Sequence, residues 1–306
     1  MPVRVGLFIA NLINVDESKE AWQFSGELRM QWRDPRLRFR GGSGALRFYQ
    51  ANEVWTPRVH IANALAPRTS ATPDLTVDPS GRVEYSEVIW ALPTTELDVH
   101  RFPFDTEYLP VIFEPLGRDA TATRLIADPQ LSGINAADFT PRSQWRIRRL
   151  ESGTQTIAGR IFHPAHTAVN FRLVVSRNPQ SFVWKFMVPL FAIVVASWLA
   201  FWMPTDEFAI RDQLSIAVTL LLTTVAFTLA LTTFLPRVSY LTFIDGYVLF
   251  CFLWVLGAIA LIYVVAFLKT HERAVQAMEL RRVLAFAMPL AFFIAQAILF
   301  VAMRPA

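Results

Sequence analysis

The stretch Leu214–Leu235, LSIAVTLLLTTVAFTLALTTFL, decides how this chain reads. It carries no charge, and as a helix it is about 33 Å long, enough to cross the roughly 30 Å hydrocarbon core of a bilayer. Ser215, Thr219, Leu222, Ala226, Leu229 and Thr233 recur at alternating spacings of four and three, which puts them on one helical face. A helix touching only lipid has no use for hydroxyls along one stripe. A helix facing water has, with Leu222 and Leu229 as apolar rings along the same face. Asp212 stands just ahead of the stripe, where a ring of carboxylates would meet passing cations. The pattern predicts the wall of a pore.

Three further apolar runs surround this one in the sequence. The four expected spans are about residues 182–203, 214–235, 243–268 and 283–303, each long enough to cross. Pro189 and Pro289 fall inside spans, where helix bundles in lipid tolerate proline, and Lys185 is close enough to an end to snorkel. Lys269, Arg273, Arg281 and Arg282 lie between the third and fourth spans, against Arg237 between the second and third. The positive-inside tendency then makes 269–282 a cytoplasmic loop. The loop with Asp206, Glu207, Arg211 and Asp212 is also inside; the N-terminal domain and the C-terminus are outside. One such helix cannot enclose a channel, so several identical chains must surround an axis, in number not fixed by spacing.

The oiliness is confined to that half. The chain has 306 residues, 53% of them hydrophobic, and a mean hydropathy of +0.34, too high for an ordinary soluble domain. Residues 1 to about 180 instead alternate apolar with polar. Strands are expected at Val3–Ile13, Trp22–Trp32, Arg82–Ala91 (after the turn Asp78-Pro79-Ser80-Gly81), Tyr108–Phe113, Trp145–Leu150 and Ala168–Ser176. An all-β sandwich is the economical assignment, with Trp22, Trp32, Trp55, Trp90 and Trp145 filling its core or the contacts between subunits. The domain boundary falls at 179/180. The N-terminus enters a strand pattern at once, so an exported domain would have lost a leader. Cys251, the single cysteine, reads as packing inside a span and allows no intrachain disulfide. The net charge of +4 comes from scattered arginines with no basic run, against nucleic-acid binding. No Gly-rich phosphate loop, nucleophile elbow or tight His/Glu metal motif stands in or near the spans, so neither an enzyme nor a cofactor is indicated.

Several motifs, in order along nearly the whole chain, carry a resemblance. Arg101-Phe102-Pro103-Phe104-Asp105 is similar to a signature Phe-Pro-Phe-Asp turn, and Trp55-Thr56-Pro57 to the Trp-x-Pro of a first binding loop. Arg177-Asn178-Pro179 is similar to an arginine preceding a first span. Pro189 matches that span's proline, and Leu235-Pro236-Arg237 the exit of a pore helix. The chain resembles the pentameric ligand-gated ion channels (the Cys-loop receptor family), in particular bacterial members. The two cysteines that name the family would fall at Thr95 and Leu109 and are absent. The resemblance implies a homopentamer in a cell membrane (for a bacterial member, the inner membrane), with agonist bound between neighbouring β domains.

It also implies roles for residues. Asp212 matches the position where cation-selective relatives hold an acid, with monovalent cations as the permeant species; Arg211 beside it could pair with Asp212 or face the pore instead. Leu222 matches a gate position. An acid from Asp16 or Glu17, the turn Phe102, Pro103, Phe104 and Asp105, Arg177 and Pro236 correspond to residues that couple the domains. The agonist, a small molecule or ion, would sit under a loop around residues 159–166, facing His60, Glu114, Phe162 and His166. Glu114-Pro115 is similar to the second loop of amine-responsive bacterial relatives, although Leu116 replaces their aromatic residue. His163-Pro164-Ala165-His166 suggests metal or pH chemistry, but two histidines without a nearby cysteine read first as an exposed loop. A second function class stays open: a membrane-anchored receptor or sensor that conducts nothing.

Overall fold

The computed structural model describes residues 1–42, 44–116, 123–135, 144–158, 165–202, 207–232 and 238–302; for 207–210 and 299–302 it gives the helical backbone alone. The larger sheet holds β1 (Pro2–Asp16), β2 (Ala21–Arg33), β3 (Arg47–Tyr49), β5 (Thr69–Ser70), β6 (Asp74–Val77), β7 (Arg82–Ala91), β9 (Arg124–Ala127) and β10 (Gly133–Ile134). Their order is β10-β1-β2-β7-β6-β3, with β5 on β7 and β9 on β1. The smaller sheet holds β4 (Val59–Ile61), β8 (Thr106–Pro115), β11 (Trp145–Ile157) and β12 (His166–Arg177), in the order β11-β12-β8-β4.

Alternation makes these strands a sandwich. Val3, Val5, Leu7 and Ile9 of β1 and Leu28, Met30 and Trp32 of β2 point inward from one sheet. Leu109, Val111 and Phe113 of β8 and Val169, Phe171, Leu173 and Val175 of β12 meet them from the other. All six expected strands are present, each extended by one to several residues except β7, which matches as expected. Trp22, Trp32 and Trp145 are buried and Trp55 packs against the core; Trp90 stands 41% exposed on the outer face of β7 and fills no core. The hairpin before β7 turns at Gly81, whose φ of +80° suits glycine, and a Cβ there would lie 2.5 Å from the Asp34 carbonyl oxygen.

Four helices are long and apolar enough to cross a membrane. The first, Gln180–Trp202, includes a wide-turn segment at Val183–Met187 just ahead of Pro189, which has no N–H to give the ordinary helical bond. The second runs Glu207–Leu231 and the third Phe243–Thr270. The third starts on a capping box: Thr242 N–H donates to Asp245 Oδ2 (2.9 Å) and Asp245 N–H to Thr242 Oγ1 (3.4 Å). The fourth runs Ala274–Ala302 with Pro289 inside it. Its start corrects the expected loop. Residues 274–282, AVQAMELRR, are good helix formers too polar to register as a span, so Arg281 and Arg282 belong to the helix. The second helix gains its first turns, Glu207 to Gln213, for the same reason; beyond Leu231 its expected end falls outside the described residues.

The helices pack through Leu190, Val194 and Trp198 of the first, Leu231 of the second, Tyr247, Cys251 and Val255 of the third and Phe292 of the fourth. Cys251 is fully buried in that cluster. The chain divides into two compact units, Met1–Asp98 with Thr106–Asn178, and Val99–Asp105 with Pro179–Ala306. The segment Val99–Asp105, sequence-wise part of the β half, thus groups with the helices.

Candidate functional site

Among the described residues, the second helix touches its own subunit along one face. Gln213, Ala217, Thr224 and Leu231 are buried, at helical spacing. Ser215, Thr219, Leu222, Ala226 and Leu229 lie on the opposite side, about 135–180° away at 100° per residue, with Asp212 on its flank at about 115°, and all are exposed. Leu222 is 68% exposed and Leu229 65%, values a packed leucine would not have. The Thr219 hydroxyl donates to the Ser215 carbonyl (2.8 Å), as Thr223 does to Thr219 (2.8 Å). A threonine hydroxyl has one proton; once spent on the helix, it offers only acceptor lone pairs outward. Arg211 and Asp212 form no ion pair among the described residues, and both are exposed. Thr233 and Pro236 lie outside the described residues.

At one end of β12, Arg177 is 1% exposed in its side chain. Its Nη2 lies 2.9 Å from Glu17 Oε1 without hydrogen-bond alignment, so their attraction is coulombic. Its guanidinium also sits 4.1 Å from the centre of the Trp145 ring. Of the two acids open to this role in the sequence, Glu17 meets Arg177. Asp16 instead caps the short turn Glu17–Lys19, accepting from Ser18 Oγ (2.6 Å) and Lys19 N (3.2 Å), and the Ser18 hydroxyl and the Lys19 ammonium at 3.1 Å hold its carboxyl below the usual range. Trp145 is a partner that sequence reasoning did not assign. Its register opposite Arg177 in the β11–β12 pair is the signal that would have found it.

The turn Val99–Asp105 is anchored on the helical unit by aromatic contacts. Phe102 is buried with its ring 4.7 Å from Phe182, and Phe104 lies 5.5 Å from Phe243. The Phe102–Pro103 peptide is cis, and Asp105 is buried. His100 stacks on Tyr240 at 3.8 Å with the planes within 8°. The Val99 N–H donates to Tyr240 Oη (3.1 Å), and Phe243 N–H donates to the His100 carbonyl (2.8 Å). His100 and Tyr240 were missed: nothing about a lone histidine or tyrosine in sequence marks such a stack.

On the smaller sheet, His60 of β4 stands directly opposite Glu114 of β8. His166, at the start of β12, brings Nε2 to 3.3 Å from Glu114 Oε2. Glu114 thus contacts His166 and stands across from His60 in the strand register, while Phe162, like His163, lies outside the described residues. The exposed-loop expectation fails at His166, which is a strand residue with 12% of its side chain exposed, held by pairing and by Glu114. The His60 Nδ1 atom is buried with no hydrogen-bond partner among the described residues. No group of three His, Cys, Asp or Glu side chains has metal-binding geometry among the described residues. Asn63, three residues along from His60, clamps the neighbourhood: its amide donates to the carbonyls of Thr94 (2.9 Å) and Pro110 (3.0 Å) and accepts from Ile112 N–H (3.0 Å).

Comparison with known proteins agrees with this layout. The family model described as the neurotransmitter-gated ion-channel ligand binding domain matches residues 1–179, and that of the transmembrane region matches residues 186–297. The chain is 23% identical over 301 residues to a proton-gated ion channel of Gloeobacter violaceus, covering 98% of this chain and 82% of that one. It is 25% identical over 286 residues to an acetylcholine receptor subunit beta of Xenopus laevis, covering 89% and 57%. It is 24% identical over 273 residues to a glutamate-gated chloride channel of Drosophila melanogaster, covering 84% and 57%. The chain thus spans little more than half the length of these animal relatives. With both family regions matched in order, a β-sandwich ahead of four membrane-spanning helices and a single cysteine, the chain belongs to the neurotransmitter-gated ion-channel family as a multi-pass, ligand-gated ion channel without the Cys-loop pair.

Proposed function

We propose that five copies of this chain surround a cation-conducting pore lined by the second helix and opened by an extracellular stimulus. The carrying observation is the unused face of that helix: the stripe from Ser215 to Leu229 stands exposed opposite the face that packs within the subunit, with exposed Asp212 at its flank. Charge and lone pairs support cations. Asp212 would form a five-carboxylate ring at the inner mouth, and Thr219 offers oxygen acceptors because its proton is committed to Ser215. The named relatives include a chloride channel, so ion sign is decided by these side chains rather than by family. Leu222 and Leu229 supply apolar rings that close the path by dewetting. The β domain and C-terminus face outward, in a bacterial inner membrane. The stimulus acts at the His60, Glu114, His166 cluster, where a cationic ligand or a proton would compete for the Glu114 carboxylate.

Reversal potentials of the purified channel in bilayers with opposed ion gradients test the pore assignment. Asp212→Ala is expected to lower cation over anion permeability. A reversal potential unchanged from the parent channel removes Asp212 from selectivity.

A further inference from the structure

We propose that the outer face of the larger sheet, at the end where β1 begins, binds a small organic anion carrying two or more carboxylates. A cavity of about 410 Å³ opens there, lined by Pro2, Arg4, Gln31, Trp32, Arg33, Ser80, Arg82 and Ile126. Three arginines and no acid border it. Arg33 and Arg82 are direct cross-strand partners of the β2–β7 pair, and Arg4 stands opposite Gln31 on the neighbouring strand. Like charges directly opposed on a sheet repel, and an anion between them reverses the sign of that interaction. Nearby acids are engaged elsewhere or weakly placed. Asp128 approaches Arg4 at 3.5 Å, Glu84 accepts from Gln31 (3.0 Å), and Asp78 takes the N–H and hydroxyl of Ser80 and the backbone N–H of Arg82. Neither Arg33 nor Arg82 forms an ion pair among the described residues, although the Asp78 carboxylate is near enough to attract Arg82.

The walls choose among anions. Trp32, Ile126 and Pro2 are apolar, and the volume exceeds what a bare inorganic ion fills, so the occupant has a hydrocarbon body. Paired guanidinium forks match planar carboxylates bidentately, where lysines would not. The cavity lies on the sheet opposite to Glu114 and at the far end of β1 from Glu17, about 40 Å away at 3.3 Å per residue. It is separate from both the proposed stimulus site and the Arg177 pair.

Calorimetry on the full-length channel in nanodiscs, at fixed pH and ionic strength, tests this with citrate, inorganic phosphate, chloride and the neutral triethyl citrate. Saturable citrate binding is expected, with phosphate weaker and the other two silent. Arg33→Gln and Arg82→Gln should each weaken citrate about tenfold or more. Arg29→Gln, on the same face but outside the cavity, should leave binding unchanged. Arg33→Lys keeps the charge and loses the fork, so it should bind weakly even if the glutamine variants do not fold. Absent or non-saturable citrate heat, binding equalled by phosphate or chloride, or full affinity in Arg33→Lys overturns the proposal.

Discussion

Arg177 is held by two attractions of different physical kind. Glu17 at 2.9 Å supplies opposite charge, and the Trp145 ring at 4.1 Å supplies a quadrupole face to a cation withdrawn from water. Because Glu17 keeps 23% of its side chain exposed, removing the arginine leaves an acid that water can still solvate. Arg177→Ala should therefore cost about 1–3 kcal/mol, below the 3–5 typical of breaking a fully buried pair. Arg177→Lys should recover the charge and little of the stacking. Thermal unfolding of both variants beside surface binding and current separates stability from gating: folded protein that binds its stimulus and passes little current is the expected result for alanine. A second residue sets an acid limit. The Asp34 carboxylate is bonded by the Arg36 guanidinium (2.7 and 2.9 Å), which holds its carboxyl low against the raising effect of burial. A depressed folded-state value means stability that is complete above the unfolded value near 4 and lost as pH falls below it. The melting temperature should drop between about pH 4 and 2, and the drop should be shallower in Asp34→Asn. At this scale the sequence was partly legible. Asp16 and Glu17 are neighbours with the same chemistry, and only the cap at Asp16 and the reach to Arg177 distinguish them.

Elements were more legible than residues because periodicity is a property of many positions at once. The stripe on the second helix needs no partner to be visible, and the alternation of β1, β2, β7 and β8 follows from burial on one face. Helix ends were less so. Hydropathy stops where lipid-like residues stop, whereas AVQAMELRR continues the fourth helix on propensity alone. The short strands β3 to β6, β9 and β10 have two to four residues, too few for a period to register. The second helix yields an element-scale prediction. Leu222 is 68% exposed on the stripe, so Leu222→Ser removes little packing within the subunit and should leave folding close to the parent. In a ring it would put five hydroxyls where five isobutyl groups had excluded water. Spontaneous opening or sensitivity to the stimulus should rise at least severalfold. A dose–response curve identical to the parent's would show that no hydrophobic constriction exists at that level.

At the scale of the molecule, the informative fact is that seven residues of the β half group with the helices. The chain leaves the larger sheet after β7, runs through Val99–Asp105 and enters the smaller sheet at β8, so the turn is covalently continuous with β8 directly and with β7 through residues 92–98. Sequence reading found the turn through its resemblance to a family signature but not its hold, since His100–Tyr240 joins residues 140 positions apart by ring stacking. That stack and the Val99 N–H bond to Tyr240 Oη can be removed one at a time. Tyr240→Phe keeps the ring and loses the acceptor, leaving the Val99 N–H to water or to nothing; Tyr240→Ala loses both. If the turn transmits the stimulus, an interaction of about 1 kcal/mol present in only one gating state shifts the open–closed balance about fivefold. The phenylalanine variant should therefore shift half-maximal stimulus by about that factor, and the alanine variant further by the 0.5–1.5 kcal/mol of an aromatic pair. Surface expression and stimulus binding at the β domain should stay at parental levels in both. Graded loss of current across parent, phenylalanine and alanine at constant binding is the outcome expected of a transmission element. Equal currents in all three would make Val99–Asp105 a structural anchor, and the signal would have to leave the β domain through the Arg177-Asn178-Pro179 junction alone.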